Sequence, residues 1–123
     1  MPEIYEDGFD PEHKIYLLKP GYDIKHIDQD KDCLEFISFQ TKVANKLEED
    51  GFIEESFKEF KATYDWGEYD IFEVDRCLKF KEYLLKKLNC KDLDPDLTNI
   101  YTKMLELTNK AIKLGTGLLF DFV

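Results

Sequence analysis

The strongest structural signal in this chain is a helical pattern over residues 95–114. Asp94 has a side chain suited to a helix N-cap, and Pro95 follows it in the first helical position. The missing N–H of proline costs nothing there, because that group has no partner within the helix. Gly115 provides the stop, because glycine readily adopts the left-handed conformation that ends many helices. Between them, apolar residues recur at helical spacing at Leu97, Ile100, Tyr101, Met104, Leu107, Ala111, Ile112 and Leu114. With a start signal, a stop signal and five turns of helical period between them, this is the best-marked helix in the chain.

Helical periodicity predicts three further helices, at about 30–49, 53–64 and 71–89. Asp28 or Asp30 can cap the first of these, and Gly51 is suited to end it. Asp70 and Glu73 have the spacing of a capping box for the third. The second segment places four apolar residues on one helical face: Ile53, Phe57, Phe60 and Tyr64.

The two ends of the chain show strand patterns instead. Ile15–Leu18 is a short apolar run that stops at a Pro-Gly turn. Residues 118–123 alternate with a period of two. Because a lone strand is not stable, we expect these two segments to pair. The sequence thus predicts one domain over residues 1–123, of the α+β class, mainly helical with about four helices and a small sheet.

Composition restricts the partners that this chain could bind. It has 27 acidic and 17 basic residues, a net charge of −10, and a single arginine, Arg76. Phosphate backbones and anionic membranes repel such a chain, so we expect neither nucleic acid nor membrane as a partner. A protein with a basic face is the expected partner. The alternative is that the charge serves solubility alone.

No motif predicts catalysis, a cofactor or a metal. Residues 28–32 resemble the start of a calcium loop, but Cys33 and Phe39 stand where that loop needs Gly and Glu. His13 and His26 lack metal-site spacing, and we expect exposed or structural roles for them. Carboxylate pairs suited to acid-base work are unavoidable among 27 acids, and nothing singles one out. We therefore expect a protein that is not an enzyme.

Three cysteines indicate a reducing compartment. Cys33, Cys77 and Cys90 are odd in number and fit no zinc spacing. The acidic N-terminal residues lack the basic and apolar regions of a signal peptide. We expect a cytoplasmic protein.

The predicted partner-binding surface centres on residues 64–70, a connector between the second and third predicted helices. It combines three aromatics, three acids and one glycine, and it holds the only tryptophan. Aromatic rings can anchor an interface while acids steer the partner towards it. With the acidic start of the preceding helix, the predicted partner-binding residues are Glu54, Glu55, Tyr64, Asp65, Trp66, Glu68, Tyr69 and Asp70. The alternative for Tyr64 and Trp66 is a place in the core at a helix corner.

Charge is unevenly distributed along the chain. Residues 28–75 hold 15 acids and 5 bases, whereas residues 76–91 hold one acid and 6 bases. One explanation is internal pairing of the basic helix with the acidic one before it. The other is a binding surface, which suggests a bacterial-type immunity protein or antitoxin that neutralises a basic, nuclease-type toxin. The alternatives are a generic adaptor or regulatory subunit, and a small enzyme or ligand-binding domain.

Overall fold

The computed structural model describes residues 12–21, 35–64 and 69–122. In these ranges the chain forms four strands and four helices: β1 (His13–Leu17), β2 (Phe36–Phe39), α1 (Thr41–Glu49), α2 (Phe52–Phe60), β3 (Tyr69–Glu73), α3 (Val74–Leu88), α4 (Pro95–Leu114) and β4 (Gly117–Asp121). The predicted α+β class, mainly helical with a small sheet, is confirmed. Across the described residues, no helix is both long and apolar enough to cross a membrane.

The four strands form one antiparallel sheet in the order β2-β1-β4-β3. β1 pairs with β4, with Ile15 opposite Phe120, so the predicted pairing of the two chain ends is confirmed. On the other side of β4, Phe72 of β3 lies opposite Leu118. β4 is therefore an inner strand, which explains why its residues are apolar on both faces.

α4 is the helix around which the other helices are arranged. Its predicted bounds are confirmed: the Asp94 carboxylate accepts a hydrogen bond from the Asp96 amide at 2.7 Å, and Gly115 adopts φ +71°. The helix packs against α1 and α3 and against β1, β2 and β4. The predicted stripe is buried from Leu97 to Ala111, whereas Ile112 is half-buried and Leu114 is exposed near the end of the helix.

One apolar cluster draws side chains from all eight elements. At its centre is a group of aromatic rings in which Phe72 of β3 and Phe120 of β4 have centroids 4.3 Å apart. Phe60 of α2 and Phe80 of α3 meet Phe72 edge to face. Such contacts add to the free energy gained by burying the rings. The opposite face of the sheet carries a second buried group, Tyr16, Leu18 and Leu119.

The predicted helix over 30–49 is wrong in its first half. Residues 36–39 form β2, and the helix begins at Thr41, after Gln40. Residues 30–34 lie outside the described residues. Phe36, Ile37 and Phe39 are bulky residues that suit a strand, and pairing with β1 fixes the backbone there. Pairing with a distant strand thus overrides the local helical spacing.

The second and third predicted helices are each shorter than expected. α2 ends at Phe60, where Lys61 turns into the left-handed conformation, so Tyr64 lies beyond the helix. α3 begins at Val74, and its N-cap residue Glu73 makes no capping hydrogen bond through its side chain. The predicted capping box of Asp70 and Glu73 is wrong because residues 69–73 pair with β4 as a strand.

Replacement of Gly117 tests how closely the backbones of β3 and β4 must approach each other. A Cβ atom at this position would overlap the carbonyl oxygen of Phe72 on the neighbouring strand. We expect Gly117→Ala to lower the free energy of unfolding by about 3 kcal/mol, because backbone atoms must move to relieve the overlap. Urea denaturation measures this loss.

Gly115→Ala is the matched control. Gly115 has positive φ, but a Cβ atom added there would meet no atom within 4 Å apart from its chain neighbours, so only backbone strain opposes the change. The expected loss is about 1 kcal/mol. Equal losses at the two glycines would contradict the close approach at Gly117.

Candidate partner-binding surface

The structure places the eight predicted partner-binding residues in different environments. Glu54 and Glu55 lie in the first turn of α2, where the helix dipole favours negative charge. Tyr64 follows α2, and Tyr69 and Asp70 begin β3. The remaining three, Asp65, Trp66 and Glu68, lie outside the described residues.

Glu54 is accessible to a partner. Its side chain is 76% exposed and forms an ion pair with Lys58 at 3.2 Å, one helical turn away. Exposed pairs of this kind contribute only a few tenths of a kcal/mol to stability. Glu54 can therefore exchange Lys58 for a cation on another protein at little cost to the fold.

Tyr64 belongs to the core, so its predicted contact with a partner is wrong and the core alternative is right. It is 1% exposed. Its ring stacks on Phe52 and Phe122 at centroid distances of 5.1 and 5.3 Å, and its hydroxyl donates to Ser56 Oγ at 3.1 Å. Burial raises the pKa of Tyr64 well above its ordinary value, so the phenol stays neutral.

Asp70 is a structural residue that holds the backbone after α2. Its carboxylate accepts hydrogen bonds from the amides of Thr63 and Tyr64 at 3.3 and 3.1 Å. It also lies 3.6 Å from the Arg76 guanidinium and is only 11% exposed. These contacts give Asp70 a structural role and leave it little surface for a partner.

Glu55 belongs to a polar network that sequence reasoning missed. Lys87 Nζ lies 2.8 Å from Glu55 and 3.1 Å from Asp50. The Tyr83 hydroxyl donates to Glu55 at 2.9 Å, and the Tyr101 hydroxyl donates to Asp50 at 2.7 Å. The network links the start of α2 to α3 and α4. Tyr83 and Lys87 are four residues apart, and this spacing on one helix face was the available sequence signal.

The protonation states in this network are fixed by burial and by its partners. Burial, followed by the hydrogen bonds to Glu55 and Asp50, raises the pKa of Tyr83 and Tyr101 above the ordinary phenol value. Partial burial lowers the pKa of Lys87, but its contacts with Glu55 and Asp50 outweigh that effect and raise it overall. At neutral pH the two phenols therefore stay neutral and the Lys87 ammonium group stays charged, so all three donate hydrogen bonds to the carboxyl groups of Glu55 and Asp50.

A cleft of about 370 Å³ lies between α2 and α3, beside this network. Its residues are Glu55, Lys58, Glu59, Tyr83, Lys86, Lys87 and Cys90. Lys86 and Glu59 form an ion pair across it at 3.5 Å. The predicted internal pairing of the basic helix with the acidic one therefore exists: α2 supplies carboxylates and α3 supplies lysines.

The histidine and cysteine side chains in the described ranges are His13 and Cys77, which are buried, and Cys90, which is exposed beside the α2–α3 cleft. His13 is buried in β1, 5.4 Å from the Phe39 ring and 3.5 Å from Thr41 Oγ1. Cys77 is buried and Cys90 exposed, both as free thiols. In this part of the chain no group of His, Cys, Asp and Glu could hold a metal ion.

Lysines in the described ranges face nearby carboxylates in several ion pairs. Lys46 lies 2.7 Å from Asp96, and Lys110 lies 2.9 Å from Glu35.

Lys87→Met tests the network. This change leaves Asp50 and Glu55 without their shared cation in a partly buried site, and we expect a loss of about 2 kcal/mol in the free energy of unfolding. Lys86→Met is the matched control, because the Lys86 side chain is 74% exposed and its loss should be within about 0.5 kcal/mol. Urea denaturation compares the two, and equal losses would rule out a stabilising network.

Because the Cys77 thiol is buried, we predict a loss of stability at alkaline pH. Burial raises the pKa of the Cys77 thiol to about 12, so the folded chain retains a proton that the unfolded chain releases above about pH 8.5. The stabilisation is complete below that pH and disappears as the pH rises towards 12. Between about pH 8.5 and 10 the wild type should lose about 1.5 kcal/mol more than Cys77→Ala, measured by urea denaturation with a reductant. Parallel pH curves would contradict this assignment.

No family model matches the chain, and neither the curated proteins nor the solved structures contain a significant match. Any assignment of function therefore depends on the chemistry of its own surfaces.

Proposed function

We propose that this chain is a non-enzymatic, acidic protein-binding inhibitor that covers a basic, nuclease-type partner, as an immunity protein or antitoxin does. The observation that carries the proposal is the acid excess of the sequence. The chain has 27 acidic and 17 basic residues, and residues 28–75 alone hold 15 acids and 5 bases.

The acid excess exceeds what the described ion pairs use. Lys87 pairs with Asp50 and Glu55, Arg76 pairs with Asp70, and Lys110 pairs with Glu35 at 2.9 Å. A large excess of one sign opposes compactness through self-repulsion. A basic partner would relieve that repulsion, so binding and charge excess are physically linked.

A nuclease is the partner class whose own chemistry fits this excess. It must keep a positive cleft to attract the phosphate backbone of its substrate. An acidic protein is steered to the same cleft, and charge complementarity of this kind raises association rates strongly at low salt. In this proposal Glu54, Asp65, Trp66 and Glu68 form the contact surface, with Trp66 as its apolar anchor.

The polar network is relevant to whether the protein is a catalyst, and the free thiols are relevant to its cellular compartment. The titratable groups of the network beside the α2–α3 cleft are held in matched pairs, which supports binding rather than catalysis. The free thiols of Cys77 and Cys90 support a reducing compartment, and we place the protein in the cytoplasm.

Charge-reversal substitutions at residues 65 and 68 test the proposed contact surface. A tagged chain first captures its partner from host lysate at low and at high salt, and we expect one stoichiometric basic protein whose capture weakens with salt. With that partner in hand, Asp65→Lys combined with Glu68→Lys should slow association at least tenfold at low ionic strength, measured by stopped flow. We expect thermal stability to change little, because unpaired carboxylates are rarely buried and substitutions of exposed residues usually cost under about 0.5 kcal/mol.

Glu82→Lys combined with Glu106→Lys is the matched control. Both positions are exposed, on α3 and α4, and the double change alters net charge by the same amount. This variant should retain most of the association rate. Equal slowing by both pairs would show that total charge, rather than the 65–68 segment, governs association and would contradict the proposed surface.

A further inference from the structure

Asp70 links the two ends of the connector on which the proposed contact surface is centred. Oδ2 of its carboxylate accepts hydrogen bonds from the backbone amides of Thr63 and Tyr64 at 3.3 and 3.1 Å. Residues 65–68, which lie outside the described residues, come between these two ends in the sequence. A side chain at one end of the segment thus binds the backbone at the other end, and its negative charge strengthens both hydrogen bonds.

Each end of this segment is also attached to the core by contacts of its own. The Tyr64 ring is buried against Phe52 and Phe122. At the other end, Asp70 lies opposite Phe120 where β3 pairs with β4. Asp70 therefore connects two positions that the core already holds in place.

Tyr64 has a backbone conformation that needs support from its neighbours. Its φ is +47°, in the left-handed region that bulky residues rarely adopt. Such conformations persist only where surrounding contacts determine them, and they are concentrated at functional sites. The ring contacts of Tyr64 and the hydrogen bond from its amide to Asp70 supply that support. This residue immediately precedes Asp65, the first residue of the proposed contact segment.

Arg76 engages the second oxygen of the Asp70 carboxylate. Its guanidinium lies 3.6 Å from Oδ1, whereas Oδ2 accepts the two amides. Both oxygens thus have partners within the chain, and the Asp70 side chain is only 11% exposed. Because Arg76 lies in the first turn of α3, the link also extends to that helix.

We propose that Asp70 is a positioning residue for the contact surface, because it holds the two ends of the 65–68 segment in the arrangement that a basic partner binds. A segment fixed in advance binds without the entropy cost of ordering it during association. The acids that meet the partner are then Glu54, Asp65 and Glu68, whereas Asp70 acts through the backbone. This inference rests on the proposed function for its purpose, but the link itself can be tested without a partner.

The fluorescence of Trp66 reports on this segment alone, because Trp66 is the only tryptophan in the chain. Acrylamide should quench this fluorescence at least twofold more efficiently in Asp70→Ala than in the wild type. Asp70→Asn keeps an oxygen that can accept from the amides of Thr63 and Tyr64, so it should restore most of the wild-type value.

Lys87→Met is the matched control for a general loss of stability. Lys87 lies eleven residues beyond Arg76 on α3, about 16 Å along the helix, and its ion pairs are at the start of α2. This variant should leave the quenching of Trp66 unchanged at temperatures where circular dichroism shows every variant to be folded. Equal quenching of the wild type and Asp70→Ala would overturn the proposal, and so would an equal increase in Lys87→Met.

Amide hydrogen exchange tests the link in the wild type, whether or not Asp70→Ala folds. The Thr63 amide is the informative one, because Thr63 is exposed and lies outside any helix or strand. Its hydrogen bond to Asp70 should slow exchange at least tenfold relative to an unprotected amide. Exchange at the unprotected rate would show that Asp70 does not hold this end of the segment.

Binding to a captured partner separates this inference from the proposed function. Asp70→Ala should bind at least fivefold more weakly than the wild type, whereas Asp70→Asn should retain most of the affinity. Equal affinities of the wild type and Asp70→Ala would overturn the positioning role. If instead Asp65→Lys combined with Glu68→Lys leaves association unchanged, the contact surface itself is wrong, while the exchange and quenching results still report on the link.

Discussion

The pairing of β4 with both β1 and β3 is the interaction on which the rest of the fold depends. It joins residues more than a hundred positions apart, such as Ile15 and Phe120. Closing so long a loop costs entropy, but that cost grows only slowly with length. Phe120 offsets it by packing against Phe72 and Tyr64. Because α4 leads directly into β4 through Gly115, the sheet also fixes where α4 lies, and α1 and α3 pack against α4.

The helices are then held together by charge as well as by apolar contact. Asp50, Glu55 and Lys87 join the start of α2 to the end of α3, and Tyr101 ties Asp50 to α4. Each carboxylate accepts a hydrogen bond from one phenol, and the two carboxylates share the single Lys87 ammonium group, so the partly buried site contains two acids and one base.

Local patterns identified α4 completely, because every signal for it lies within or beside the helix: Asp94, Pro95, the apolar stripe and Gly115. The same reasoning failed where distant partners decide the conformation. Residues 36–39 and 69–73 have spacings that a helix could accept, yet each pairs with a strand far away in sequence. The pairing of β1 with β4 was foreseen because each segment is apolar with strand character and needs a partner.

The candidate partner-binding surface shows the same difference between features that local sequence determines and features that distant contacts determine. Exposure of Glu54 followed from its charge and helix position, whereas burial of Tyr64 depends on rings from Phe52 and Phe122 that no local pattern connects to it. Asp70 was predicted to cap a helix, but its carboxylate binds the amides of Thr63 and Tyr64 once β3 places it there. Sequence position alone does not show which of several nearby amides a carboxylate will meet.

In α3 the helical period alone does not decide which face is buried. The helix buries Cys77, Phe80, Tyr83 and Leu84, whereas Leu78 and Leu85 remain about half exposed. Both sets are apolar and both have helical spacing, so the sequence pattern fits either face. The choice between them is made by the sheet and by α4, against which α3 packs.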